Sequence, residues 1–256
     1  MDCFAGSGGH NKIVPGADSI YGIEHVEDRR FLDTVAKYVQ AAGWKYVNCS
    51  DEVGTTKYDV WNNAANNHLR VKDSNVDLQF HLNATPGGTG CEVWLHPLYG
   101  DRELAAKISK AMADAFGLKD RGIKFSTELG WINKTKTGLL PEICFIDNET
   151  DMRKFRANFD KAAKAVAEVI VGKSIQSTGG FTIMDNGMKL VATGGIGFDK
   201  MLEVAKVLDG LGYPTDIHIE GKQEGIFSVR TSRQLGSDLD KLTAWLDGKG
   251  WFYQYE

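Results

Sequence analysis

Across residues 1–172 the chain alternates strand-like runs with helix-like stretches, and this order constrains the fold more than any single motif does. Leu32, Val35, Val39 and Ala42 recur at helical spacing between Glu24 and Ala42, and Gly43 supplies a stop. Lys45–Cys49 reads as a strand, and Tyr58–Val71 as a second helix with Trp61, Ala65, His68 and Leu69 near one face. From Val76 to Asn83 the period is two. Val76, Leu78, Phe80 and Leu82 point one way, and Asp77, Gln79, His81 and Asn83 point the other. A short strand, Cys91–His96, precedes a third helix marked by Leu104, Ile108, Ala111 and Ala115. The apolar run Leu139–Ile146 fits a buried strand, and Asp151–Val171 reads as one closing helix with Phe155, Phe159, Ala162, Val166 and Val169 along a stripe. The expected fold is α/β: a twisted, mostly parallel sheet flanked by helices.

A Gly-, Ser- and Thr-rich linker at 173–180 separates this domain, 1–172, from a second unit, 181–256. The second unit contains an internal repeat. One constant offset aligns Val191 with Val229, Thr193 with Thr231, Leu208 with Leu246, Asp209 with Asp247, and Gly210 and Gly212 with Gly248 and Gly250. Each copy reads as β-α-β. Neither copy can bury its apolar side alone, so the two are expected to share one four-stranded sheet covered by two helices in a small α+β domain.

Composition narrows the function classes. The net charge of −4 supplies no basic field for nucleic acid. No apolar run is long enough to insert in a membrane, and the N-terminus lacks the basic and apolar regions of a signal peptide, which implies synthesis in a cytoplasm. Cys3, Cys49, Cys91 and Cys144 are scattered with no metal or redox spacing, so reduced structural cysteines are expected.

Glu142 lies in the otherwise uncharged run Leu139–Ile146. Burying an ionised carboxylate costs several kcal/mol unless it is paired or neutralised, so Glu142 is either a structural ion-pair partner, a strand-end residue facing water, or a tuned general acid/base. His81 ends a strand whose other face is apolar; Asp77 or a backbone carbonyl would satisfy it in a purely structural role. His10 follows the glycine-rich stretch Gly6-Ser7-Gly8-Gly9. That stretch has neither a dinucleotide fingerprint nor a P-loop Lys-Ser/Thr, so the glycines point to close backbone approach and not to a nucleotide. Glu24 opens the first helix, where a carboxylate also complements the helix dipole. Two imidazoles, one carboxylate and a fourth position left to water form a common open catalytic zinc site, although no His-Glu-x-x-His helix is present.

Five stretches carry a family resemblance: Gly8-Gly9-His10; Glu24 before the first helix; His81-Leu82-Asn83-Ala84; Gly90-Cys91-Glu92-Val93-Trp94; and Pro141-Glu142-Ile143-Cys144-Phe145-Ile146-Asp147-Asn148. In this order the domain resembles the zinc N-acetylmuramoyl-L-alanine amidases of bacterial autolysins and phage endolysins. The resemblance implies Zn2+ held by His10, Glu24 and His81, with Glu142 as the catalytic carboxylate, acting on peptidoglycan. Glu27, one turn from Glu24, and the adjacent His25 are the alternatives for the second ligand. Asn83 is a candidate for positioning substrate or a ligand, and His68 and His96 match no ligand position. Cys3–Ser7 is less apolar than the family's first strand.

The second unit is similar to small wall-binding modules of endolysins, through Gly194-Gly195-Ile196 and Gly248-Lys249-Gly250-Trp251-Phe252-Tyr253. Trp251 and Tyr253 are its candidate wall-binding residues. An endolysin without a signal peptide would wait in the host cytoplasm and reach the wall after release. The competing readings are a zinc peptidase or carboxypeptidase acting on stem peptides, and a non-catalytic wall-binding protein.

Overall fold

A computed structural model describes residues 1–175 and, beyond them, the helices and strands that lie between residues 188 and 255. The chain divides into two compact units, Met1–Ile175 and Gln176–Glu256.

The first unit runs β1 (Cys3–Gly8), β2 (Asp18–Ser19), β3 (Gly22–Ile23), α1 (Glu24–Ala41), β4 (Lys45–Asn48), α2 (Lys57–Arg70) and β5 (Val76–Asn83). It continues through β6 (Cys91–Leu95), α3 (Arg102–Phe116), β7 (Asp120–Phe125), α4 (Gly130–Thr135), β8 (Leu139–Phe145), α5 (Glu149–Ala157) and α6 (Phe159–Val171). Six strands form one sheet in the order β4-β1-β5-β8-β6-β7. The β1–β4, β1–β5, β5–β8 and β6–β7 pairs are parallel, and β6–β8 is antiparallel.

The alternation in β5 sorts as expected: Val76, Leu78, Phe80 and Leu82 enter the main core, whereas Gln79, His81 and Asn83 line a cleft on the other face. The core face is covered by α1, α3 and α6, whose buried residues include Phe31, Leu32, Ile108, Met112 and Val166. Phe31 sits among Phe80, Phe116, Phe155 and Phe159 at ring-centroid distances of 5.4 to 6.1 Å, in edge and tilted arrangements. β1, poor in large apolar residues, is nevertheless buried along its whole length. Small residues suit it because α1 packs close: a Cβ on Gly6 would lie 2.6 Å from Leu32 Cδ1. On the cleft side, α2 starts with a reciprocal Thr56–Asp59 capping box.

The single helix expected over Asp151–Val171 is two. Asn158 (φ −121°, ψ 19°) separates α5 from α6, and its side chain bonds back to the Lys154 carbonyl. Asparagine's local hydrogen bonding competes with a continuous helix. Two further elements, β7 and α4, had no sequence signature. β7 (DRGIKF) is a half-exposed edge strand without alternation, and α4 spans 6 residues, too few for a helical period to register.

In the second unit, Thr215–Asp216, Arg230–Thr231, Val191–Thr193 and Tyr253–Tyr255 form a four-stranded antiparallel sheet in that order. Two helices, Phe198–Gly210 and Gly236–Lys249, occupy equivalent places in the two sequence copies. Val204 and Leu208 in the first, and Leu242 and Leu246 in the second, are buried at matching positions one helical turn apart. Among the described residues, no helix is long and apolar enough to cross a membrane.

Candidate active site

Three side chains distant in sequence meet where the sheet's parallel strands end, the usual place for a site in such folds. His10 follows β1, Glu24 is the first residue of α1, and His81 lies near the end of β5. Glu24 Oε1 is 2.9 Å from His81 Nδ1, and Glu24 Oε2 is 3.4 Å from His10 Nε2. One ligand atom from each of the three lies within 4.8 Å of the others. Tetrahedral zinc ligands stand about 3.3 Å apart, given metal–ligand distances of about 2.0–2.1 Å. The two imidazoles and one carboxylate therefore fit a divalent ion after small side-chain adjustments. Gln79 Oε1, 3.2 Å from His81 Nε2, bounds the cluster on the strand side.

The loop carrying His10 is held by buried polar groups. Asn11, fully buried, donates to Asp51 Oδ2 at 2.7 Å and to the Gly54 carbonyl at 2.9 Å, and its Oδ1 accepts from the backbone of Ile13 and Val14. Arg29 donates to the His10 and Asp51 carbonyls. Asp28, also fully buried, accepts from the Gly9 amide at 3.0 Å. Gly9 itself tolerates no side chain, since a Cβ there would lie 1.9–2.3 Å from the His81 ring. Gly16, at φ +79°, faces His10 and Glu24 in the same way. Thus the glycine-rich opening does permit close approach, and what approaches is the ligand side chains themselves. Asn11, Asp28 and Asp51 escaped sequence reasoning, although Asp28 follows Glu24 by one helical turn and so shares its inward face.

Glu142, on β8, is the cross-strand register partner of His81 on one side and of Glu92 on the other. Its Oε2 is buried without a hydrogen-bond partner among the described protein groups. Glu92, by contrast, is saturated: it accepts from Asn83, Trp94 and, at 2.6 Å, Arg121. Asn83 thus faces the cleft while tied to Glu92.

Electrostatics differentiate these groups. Burial raises the Glu142 carboxyl to about 7, opposed by His81 and reinforced by Glu24 and Glu92. Burial also disfavours charge on Glu24 and on His81, but their mutual hydrogen bond and attraction win. Glu24 is held below the usual carboxylate range, and His81 is raised to about 9. His10, desolvated and next to a cationic His81, drops to about 4. In the metal-free cluster, the imidazolium proton therefore resides on His81.

The remaining candidates separate clearly. Glu27 pairs with Arg30 at 2.9 Å and, at 3.9 Å, with Arg156, and His25 lies outside the cluster that joins His10, Glu24 and His81. Asp77, suggested as a partner for His81, instead binds His68 Nδ1 at 2.7 Å, while His68 Nε2 lies 2.9 Å from Ser7 Oγ; His81 has Glu24. His96 is buried and accepts from the Leu98 amide. All four cysteines are free and buried. Trp251 lies outside the described residues, and Tyr253 begins the strand Tyr253–Tyr255.

Comparison with known proteins bears on both units. Residues 210–255 match the model of the PlyG cell wall binding domain. An uncharacterized protein of Clostridium perfringens is 30% identical over 179 residues, 66% of this chain and 51% of that protein. The N-acetylmuramoyl-L-alanine amidase CwlA of a Bacillus species is 32% identical over 96 residues, 38% of each. The chain spans about half or less of the length of these curated relatives. Among solved structures, the catalytic domain of the CD27L endolysin targeting Clostridia difficile superposes with a TM-score of 0.54 at 24% identity, covering 68% of this chain and 99% of that one. The catalytic domain of CwlV, an N-acetylmuramoyl-L-alanine amidase from Bacillus (Paenibacillus) polymyxa var. colistinus, gives 0.59 at 20% identity, covering 67% and 97%; at these identities the likeness speaks for the fold. The model of the N-acetylmuramoyl-L-alanine amidase family matches residues 6–171, most of the chain, and the chain belongs to that family.

Proposed function

We propose that this protein is an endolysin-type peptidoglycan amidase that hydrolyses the bond between N-acetylmuramic acid and L-alanine, with residues 1–172 as the catalytic domain and 181–256 as the wall-binding domain after a short linker. The observation that carries the reading is the convergence of His10, Glu24 and His81 within ligand distance of one another, beside an unpartnered Glu142 oxygen. His10, Glu24 and His81 would hold Zn2+. When bound, zinc supplies a Lewis acid that polarises the scissile carbonyl and lowers the pKa of water.

The chain's own residues account for the rest. Glu142, with a buried oxygen that has no partner among the described protein groups, takes a proton from the attacking water and returns it to the departing amine of L-alanine. Glu92, anchored by Arg121, Trp94 and Asn83, keeps a negative charge beside Glu142 that opposes its ionisation. The buried clamp of Asn11, Asp51 and Arg29 fixes the backbone that presents His10, so little ordering is left to metal binding. The second unit, with Trp251 and Tyr253 as its wall-contacting aromatics, would concentrate the enzyme on its polymer.

The test is metal analysis of the purified protein combined with digestion of purified peptidoglycan and mass spectrometry. The expected outcome is about one zinc per chain and a newly exposed L-alanine amine. Cleavage within the stem peptide would replace the amidase reading with a peptidase.

A further inference from the structure

The cleft does not end at the metal-ligand cluster. It encloses about 360 Å³ and continues along α2 and the β7–α4 connection, where Trp61, Leu129, Gly130, Trp131 and Leu140 form a mainly apolar wall. Trp61 is packed so closely on the Gly130 backbone that a Cβ at Gly130 would fall 2.5 Å from its ring. Trp131, almost fully buried, rests edge-on against His68, which Ser7 and Asp77 hold in turn. The wall is therefore rigid.

Lys57, the first residue of α2, stands at the rim of this wall and is exposed. Among the described residues lining the cleft it is the one lysine or arginine. It appears in no ion pair of the described residues, and Asp59, the nearest acidic residue in sequence, is committed to the Thr56 cap. It lines the same cleft as His10, Glu24 and His81. A cation with no ion pair among the described residues thus stands at the rim of a cleft whose two lining carboxylates, Glu24 and Glu142, belong to the candidate reacting centre.

The substrate's chemistry offers this cation an anion on one side of the scissile bond only. Once the lactyl carboxylate of muramic acid is tied up in the amide, the glycan side carries no anion. The peptide side does: the residue after L-alanine is D-glutamate, whose α-carboxylate is free unless amidated. It follows the scissile bond by about two residues, or about 7 Å of extended chain. We propose that Lys57 is a specificity residue that reads this carboxylate, with the stem peptide running along the Trp61–Leu129 wall. The inference rests on the amidase reading. It makes the enzyme a discriminator between stem peptides with a free D-glutamyl α-carboxylate and those carrying the carboxamide.

The zinc-loaded full-length protein is to be assayed on two soluble muramoyl peptides that differ only in that carboxylate or carboxamide. A charge-assisted pair at the exposed rim of the cleft corresponds to a preference of up to about fivefold for the carboxylate, expressed mainly in KM. Lys57→Gln should erase the preference and Lys57→Arg should restore most of it. Calorimetry of the Glu142→Gln full-length protein, with and without Lys57→Gln, should show the same difference in binding without turnover. Equal handling of the two peptides by wild type, or an equal loss on both in Lys57→Gln, would overturn the role of Lys57 and leave the amidase reading standing. Failure of wild type to release L-alanine amine from either peptide would instead bring down the amidase reading and this inference with it.

Discussion

His81 and Glu142 lie directly opposite each other on the adjacent parallel strands β5 and β8. Register partners leave a sheet on the same face, so the pairing places the second imidazole of the cluster and the candidate catalytic carboxylate side by side although 61 positions separate them in the chain. Strand pairing, and not loop conformation, sets the spacing between His81 and Glu142. Glu142→Gln keeps that geometry and the side-chain volume while removing the titratable group. It should retain zinc and melting temperature and lose about 10²- to 10⁴-fold in wall lysis, measured by turbidity of purified walls.

The second ligand distinguishes neighbouring carboxylates on α1. Glu24 contacts both His10 and His81, whereas Glu27 is occupied by Arg30. Glu24→Gln should weaken zinc binding about 100-fold or more, and Glu27→Gln should leave it within about twofold, by competition with a chelating indicator. The reverse order would reassign the ligand.

Gly9 tests the close approach. Gly9→Ala puts a methyl group into the His81 ring, so one of the two must move. The fold should survive, because the change lies at the end of β1 and outside the core, but zinc affinity should fall at least about tenfold. Unchanged affinity, measured alongside a normal melting curve, would mean that the His81 ring is not held where the geometry places it.

The clamp under His10 gives a stability prediction. Asp51→Ala removes one of the two acceptors of the buried Asn11 amide, and the acceptor of the Gly54 amide and of Asn63. One unsatisfied buried donor costs about 1–3 kcal/mol. The denaturation midpoint should drop accordingly, and zinc affinity with it, whereas Asp51→Asn should recover part of both. An Asp51→Ala protein as stable as wild type would show that the loop has another anchor.

Metal and proton compete at His81. Its folded-state pKa of about 9 lies above the ordinary histidine value, so at neutral pH a proton occupies the position a metal needs. Zinc affinity should therefore rise about tenfold per pH unit between pH 7 and 9, with about one proton released on binding, seen by calorimetry in buffers of different ionisation heat. The metal-free protein should behave oppositely. A raised pKa stabilises the fold fully below the unfolded value near 6.5 and loses that contribution as pH rises through about 9. Asp28, raised to about 8 chiefly by burial, adds loss of the same sign over the lower part of that range, up to about pH 8. Metal-free melting temperature should consequently decline from pH 7 to 9; a rise would contradict the His81–Glu24 pairing.

The layered α/β order, the two faces of β5 and the isolation of Glu142 among apolar neighbours are legible along the chain because each is a local pattern. Period two sends His81 and Phe80 to opposite sides of any sheet, and a carboxylate in an apolar strand must be either paired or driven towards its neutral form wherever the strand lies. Repetition at a constant offset likewise made the paired helices of the second unit legible, and their buried Val204/Leu242 and Leu208/Leu246 pairs carry the same offset. The family resemblance named His10, Glu24 and His81 together; residue spacing alone did not.

Which candidates meet depends on how distant elements pack. The pairing of β5 with both β1 and β8 brings His10, His81 and Glu142 to one end of the sheet, and the entry of α1 selects Glu24 over Glu27. The Asn11–Asp51 clamp, the Glu92–Arg121 support and the packing of Trp61 on Gly130 join residues far apart in the chain through contacts that leave no period behind. β7, α4 and the break at Asn158 were hidden for a related reason. A short element or a half-exposed edge takes its conformation from its neighbours, and pairing energy that comes from elsewhere in the fold is not written in the local sequence.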